Sequence, residues 1–206
     1  MLLLSAAPSA SASVSFTLPA PTGRYQVGTT TLHLIDRGRA DPWKPELRRE
    51  LMVSVWYPAR NADRYPLAHW TTPALVPYLN SFGFGQVDWT SATTSAHVDA
   101  PALGRFPTIL YSPGYGAPRS SATVQAQDLA SHGYTVVTVD PTYETVVEFP
   151  DRVEQPVPQD TPTASRTSLD ARVADIRYVL TALANHCDAD GKPIPPMDLR
   201  RVGAFG

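Results

Sequence analysis

FPTILYSPGYGAPR, Phe106 to Arg119, decides the fold. Pro107 to Tyr111 is a short apolar run, the pattern of a strand buried on both faces of a parallel sheet. It stops at Ser112-Pro113-Gly114-Tyr115-Gly116, where two glycines and a proline force an abrupt turn. Ser120 or Ser121 is placed to cap a helix that runs to His132, with Gly133 as its stop. Tyr134 to Asp140, YTVVTVD, is the next buried strand. The spacing predicts one βαβ unit, with the turn at the carboxyl end of its first strand, where open α/β sheets place their sites.

Upstream, Thr30 to Asp36 alternates as a strand, and Leu51 to Tyr57 forms a second, ended by Pro58. No helical pattern separates them, so an antiparallel hairpin opening the sheet is expected. His33 falls inside that hairpin and is assigned no role. Downstream, Val173, Ile176, Val179, Leu180 and Leu183 recur at helical spacing, which predicts an amphipathic helix over 170–185 laid on the sheet. Thr167 and Asp170 have capping-box spacing at its start. Asp175 is expected to pair with Arg172 or Arg177.

Composition narrows the function classes. The chain has 206 residues, enough for one domain with a sizeable core, and 43% hydrophobic against 17% charged residues marks it as globular. A net charge of −2 without a basic run provides no footprint for nucleic acid. Cys187 is the single cysteine, so no intrachain disulfide forms. It stands at a predicted helix end beside His186, not on a strand-to-helix elbow, and is not read as a nucleophile. Asp188 to Gly191 starts like a calcium loop, but the remaining ligands are missing. No metal and no cofactor are expected. Residues 1–22 are low in charge and rich in Ala, Ser and Pro, with a short apolar start and Ala10-Ser11-Ala12. They read either as the remnant of a secretory signal peptide or as a flexible arm. Export is favoured over a cytoplasmic location, and no stretch reaches the ~20 apolar residues of a membrane span.

Several stretches together resemble one family. SPGYG between strand and helix, followed by LASHGYTVVTVD (129–140), is similar to the oxyanion loop and next strand of α/β-hydrolase-fold esterases and lipases. LHLIDRGRADPW (Leu32–Trp43), RRELMVSVWYPA (Arg48–Ala59), PTYETVVEFPDRV (Pro141–Val153) and RVADIRYVL (Arg172–Leu180) resemble the branch that includes platelet-activating-factor acetylhydrolase. SPGYG also occurs in cutinase-like polyester hydrolases; DRGRADPW and LMVSVWYPA favour the acetylhydrolase branch. The resemblance runs from Gly23 to Gly206 and implies the N-terminal part of a single α/β-hydrolase domain, a mostly parallel sheet flanked by helices.

What the resemblance implies for chemistry is specific. Tyr115 would be the oxyanion donor through its backbone N–H, with Gly114 and Gly116 letting the chain bend, and its ring would line the pocket. Arg119 would either orient the loop or stand solvated. The aromatic segment over 60–105, with Trp70 and Phe82 toward the substrate, is a flap over the acyl pocket or an insertion on the sheet edge. A short helix is expected over 74–80. Tyr143 and Glu144 border the site or stabilise their loop, and Glu144 with Glu148 is not a glycosidase pair. Leu199 to Gly206 reads as the strand leading into a nucleophile elbow, G-x-S-x-G, with Gly206 as its first glycine. No complete G-x-S-x-G occurs in the sequence, so serine, acid and histidine are expected beyond Gly206. The substrate implied is a small ester or phospholipid. The alternative is a non-catalytic α/β-hydrolase module with a binding role only.

Overall fold

The structure, a computed structural model, describes residues 14–158 and 161–206. The hairpin forms where the alternating patterns lie. β1 (Gln26–Ala40) pairs antiparallel with β2 (Arg48–Ala59), in register from Gln26 opposite Ala59 to Asp36 opposite Arg49. Both strands run longer than the alternation alone indicates, because polar residues at their ends still complete ladder bonds.

The remaining strands build outward. β3 (Leu67–His69) and β4 (Thr93–Val98) lie beyond β1, with β4 parallel to it. On the other side of β2 come β6 (Thr135–Val139), β5 (Pro107–Tyr111) and β9 (Asp198–Phe205). The order is β3-β4-β1-β2-β6-β5-β9, with β5 parallel to both β6 and β9. β7 (Val147–Glu148) and β8 (Val153–Glu154) form a separate small ribbon.

Alternation along the strands distributes the core to two faces. Val53, Val55, Tyr57, Val137 and Val139 point to one face with Val179 of α3 (Pro162–Ala182) and Leu183 just after it. Trp56, Val136 and Val27 point to the other, against Ala126 and Ala130 of α2 (Thr123–Ser131). β6, between β2 and β5, is buried along its whole length. The result is three layers, helix–sheet–helix, with the predicted βαβ unit at the centre.

Several expectations are corrected. Ser120 and Ser121 do not cap α2; they lie in a 3-10 turn (Arg119–Ala122), and Ser121 Oγ donates to Pro118 O at 2.8 Å. α2 then ends at Ser131 with His132 and Gly133 following, as the glycine stop predicts. α3 begins well before residue 170, capped by Thr161, whose hydroxyl accepts from Ala164 N–H at 3.1 Å. A threonine cap followed by Pro162 outcompetes the Thr167–Asp170 box. Val173 is exposed and Asp175 buried, so the buried face of α3 is rotated from the apolar spacing. Asp175 faces inward because Arg49 waits there.

Residues 1–13 lie outside the described residues. Val14 to Thr22 runs along α2, with Pro19 O accepting from Gln127 Nε2 at 2.8 Å and Thr22 N–H donating to Asp128 Oδ1 at 2.7 Å. Phe16 packs edge-on against Trp70 and Trp89. Among the described residues no helix is long and apolar enough to cross a membrane.

Candidate active site

Everything converges on the turn after β5. Gly114 O accepts from Ala117 N–H at 3.1 Å, Gly116 sits at φ 77°, and Tyr115 is outside the left-handed region. This is a type II β-turn, whose third position demands glycine. The hydrogen bond has a consequence for the neighbouring amide. In a planar trans peptide the Tyr115 N–H is antiparallel to the Gly114 C=O. With that carbonyl turned toward Ala117, the Tyr115 N–H points out of the turn, and it donates to no group among the described residues. The Tyr115 ring is exposed.

The other carbonyls of the turn are tied down. Gly116 O accepts from Tyr78 Oη at 2.5 Å and from Thr145 Oγ1 at 3.2 Å. Pro113 O accepts from Arg172 Nη1, which also reaches Ser112 Oγ at 3.4 Å. Arg172 is held in turn by Glu144, whose carboxylate accepts from Nε at 3.0 Å on both oxygens and from Nη2 at 2.6 Å. The Glu144 side chain is 1% exposed. Glu144 is therefore a brace for the turn, through Arg172 on α3, and the expected pairing of Asp175 with Arg172 or Arg177 is corrected. Asp175 instead takes Arg49 and Arg39.

Arg119 is the loop-orienting residue and not a solvated one. Its amide donates to Asp140 Oδ1 at 2.6 Å, its Nε to Ser54 Oγ at 3.0 Å, and its Nη1 to Asp140 Oδ2. The ion pair pins the start of the helical segment to the carboxyl end of β6. Burial pushes the Asp140 carboxyl above its ordinary value, while the Arg119 guanidinium and amide draw it back.

β9 brings a second chain end to the same place. Ser112 N–H donates to Phe205 O at 3.1 Å, and Gly206 is pressed against Ser112. A Cβ at residue 206 would lie 2.3 Å from Ser112 O, so no side chain fits there. The turn and the end of β9 are thus adjacent.

The aromatic segment of residues 60–105 does two things. β3 and β4 seat it on the sheet edge, and α1 (Val76–Asn80) brings Tyr78 to the turn. Phe82 packs edge-on against Tyr78, ring centroids 5.1 Å apart, and is otherwise exposed. Trp70 is placed differently: it stacks on Trp89, donates Nε1–H to Ser120 O at 3.2 Å, and lines an apolar cleft of about 370 Å³ with Val14, Phe16 and Leu18. The structure brings Tyr78, with Phe82 against its ring, to Gly116 beside Tyr115, and sets Trp70 between the N-terminal segment and a cleft it lines with Pro118 and Arg119. Sequence reading missed Tyr78 and Thr145; nothing in their spacing marks a contact with Gly116 38 and 29 residues away.

His33 is structural, between Asp190 (Nδ1, 3.1 Å) and Glu50 (Nε2, 3.2 Å). Asp188 is used up by its own turn and by β1, accepting from the Asp190 and Lys192 amides at 3.0 and 2.8 Å and from the His33 amide at 2.9 Å. Cys187 is exposed. Among the described residues no group of three or more His, Cys, Asp or Glu side chains is arranged to hold a metal ion.

No family model matches the chain. A solved ferulic acid esterase from Streptomyces cinnamoneus superposes with a TM-score of 0.77 at 36% identity, over 91% of this chain and 54% of that one. The chain has the α/β-hydrolase fold. A probable 1-alkyl-2-acetylglycerophosphocholine esterase from Arthroderma benhamiae is 30% identical over 155 residues, covering 66% of this chain and 40% of that protein. This α/β-hydrolase chain is thus related to esterases, and it spans about half the length of these relatives or less. In this fold the turn after β5 lies at the carboxyl edge of the sheet, beside the last residues of β9.

Proposed function

We propose that this chain forms the oxyanion-loop part of a serine carboxylic-ester hydrolase. Its serine, histidine and acid would come from residues following Gly206. The Tyr115 N–H would donate to the oxygen that gains negative charge in the tetrahedral intermediate, and the second donor would follow the nucleophile. Tyr115 and Phe82 would border the acyl pocket. Both relatives are named esterases, one of an acetylated glycerophosphocholine and one of ferulic acid. Their common ground is a carboxylic ester; a short acyl ester, phospholipid acetyl esters included, is the substrate class proposed here.

The observation that carries this reading is the contact between Gly206 and Ser112. A strand ending in a glycine, at a position where a Cβ would lie 2.3 Å from Ser112 O, suits the start of a G-x-S-x-G elbow beside an outward-pointing amide. The alternative is a non-catalytic binding module.

A fluorophosphonate probe separates the two. The complete gene product should be labelled on one serine, and the 206-residue polypeptide should neither label nor turn over a p-nitrophenyl ester. Absence of labelling in the complete product would leave the binding module standing. Within an active enzyme, Tyr115→Pro tests the donor. Proline suits the second position of a type II turn and removes the N–H along with the ring, and Tyr115→Ala removes the ring alone. A loss of ~10²–10³ in kcat is expected for Tyr115→Pro, with Tyr115→Ala within about tenfold of wild type.

A further inference from the structure

We infer that Tyr78 is a positioning residue that aims the Tyr115 N–H, acting from the edge insertion through Gly116; this rests on the esterase reading above. The path is short and each link is a hydrogen bond on one peptide plane. Tyr78 Oη and Thr145 Oγ1 both donate to Gly116 O. The Gly116 carbonyl and the Ala117 N–H belong to one planar unit, so fixing the first fixes the second. Ala117 N–H holds Gly114 O at 3.1 Å, and Gly114 C=O shares its plane with the Tyr115 N–H. Two hydroxyls on one carbonyl therefore set the direction of an amide two peptide planes away.

The two hydroxyls are anchored independently. Thr145 is fully buried in the loop after β6. Tyr78 is carried by α1 and steadied by the ring of Phe82, while Trp89 Nε1–H donates to Asn80 Oδ1 at 2.8 Å at the end of the same helix. A Cβ at 116 would stand in ordinary contact with Tyr78 Oη, 3.8 Å away, so glycine is required there by its φ of 77° and not by the space the clamp uses. A hydroxyl that only filled the surface would have no reason to meet a carbonyl already bonded by threonine. Here it completes both lone pairs of that oxygen and removes its freedom to rotate.

The test uses the complete gene product and three variants: Tyr78→Phe, Thr145→Val and the pair. Tyr78→Phe keeps the ring and its packing on Phe82. Its kcat should fall ~10- to 100-fold with KM nearly unchanged, because a misaimed donor weakens transition-state binding and leaves ground-state binding alone. Affinity for a trifluoromethyl ketone, which forms a tetrahedral adduct, should fall in parallel with kcat/KM. The double variant should lose less than the product of the single losses, since both act on one carbonyl. Unchanged kcat in Tyr78→Phe, or equal losses in KM and adduct affinity, overturns the inference while the esterase reading stands. A wild type that neither labels with fluorophosphonate nor turns over ester removes both.

Discussion

Arg172 shows how one side chain can serve fold and site together. Its guanidinium faces a carboxylate that is 1% exposed and also ties down Pro113 O and Ser112 Oγ. Removing one partner of a buried pair strands the other charge, which is far costlier than the pair's net worth. Arg172→Ala in the complete gene product should lower stability by roughly 3–5 kcal/mol in urea unfolding. Arg172→Lys should restore little, because one ammonium cannot span both carboxylate oxygens and the turn carbonyl. A loss below about 1 kcal/mol would fit an exposed pair and show that the brace carries no weight. The neighbouring Gly116 is constrained in the opposite sense: its φ of 77° and the two hydroxyls on its carbonyl leave it no alternative conformation. Gly116→Ala should therefore reduce activity more than stability, seen as a lowered kcat in an enzyme that still melts cooperatively.

At the scale of elements, α2 and the segment before β1 form one unit. The Asp128 carboxyl lies below its ordinary value of 3.8 because the Thr22 amide and hydroxyl both donate to it. The sign follows from that depression. Docking is favoured wherever the carboxylate is charged, above the ordinary value, and is lost as pH falls through the lowered one. The Thr22 amide resonance should titrate with a midpoint below 3.8, and Asp128→Asn should abolish the titration; a midpoint at or above 3.8 would contradict the contact. The elements themselves were legible where burial is two-sided or period-driven: the β1–β2 hairpin, β5, β6 and β9 lie where apolar runs and alternation place them. The start and face of α3 were not, because Thr161, Asp175 and Arg49 override apolar spacing with a cap and a buried ion pair. β3 and β4 escaped notice for a related reason. Their residues pair with a sheet edge far away in sequence, and nothing local announces it. In the site, the turn and its glycines could be read directly, whereas Tyr78 and Thr145 acquire meaning only through contacts set by topology.

In the whole molecule β9 is an edge strand of the sheet. Among the described residues β9 pairs with β5 alone, and Val202 and Phe205 are 41% and 38% exposed along it. A strand edge of this kind recruits other chains. The 206-residue polypeptide should associate with rising concentration in light scattering, and Val202→Lys should reduce that association; a monomer that melts cooperatively at all concentrations would refute it. Elsewhere the molecule is knitted tightly. Fully buried Arg49 of β2 bonds Asp175 at 2.7 and 3.1 Å, Asp41 at 2.9 Å and Thr142 O at 3.2 Å, joining the hairpin, the loop after β6 and α3 around one cation. If α3 lifted away alone, that guanidinium would lose one of its two carboxylates while still held under the sheet. Partial opening is therefore dearer than its lost apolar area suggests, and α3 should exchange its amide hydrogens only together with the central strands, as one cooperative foldon.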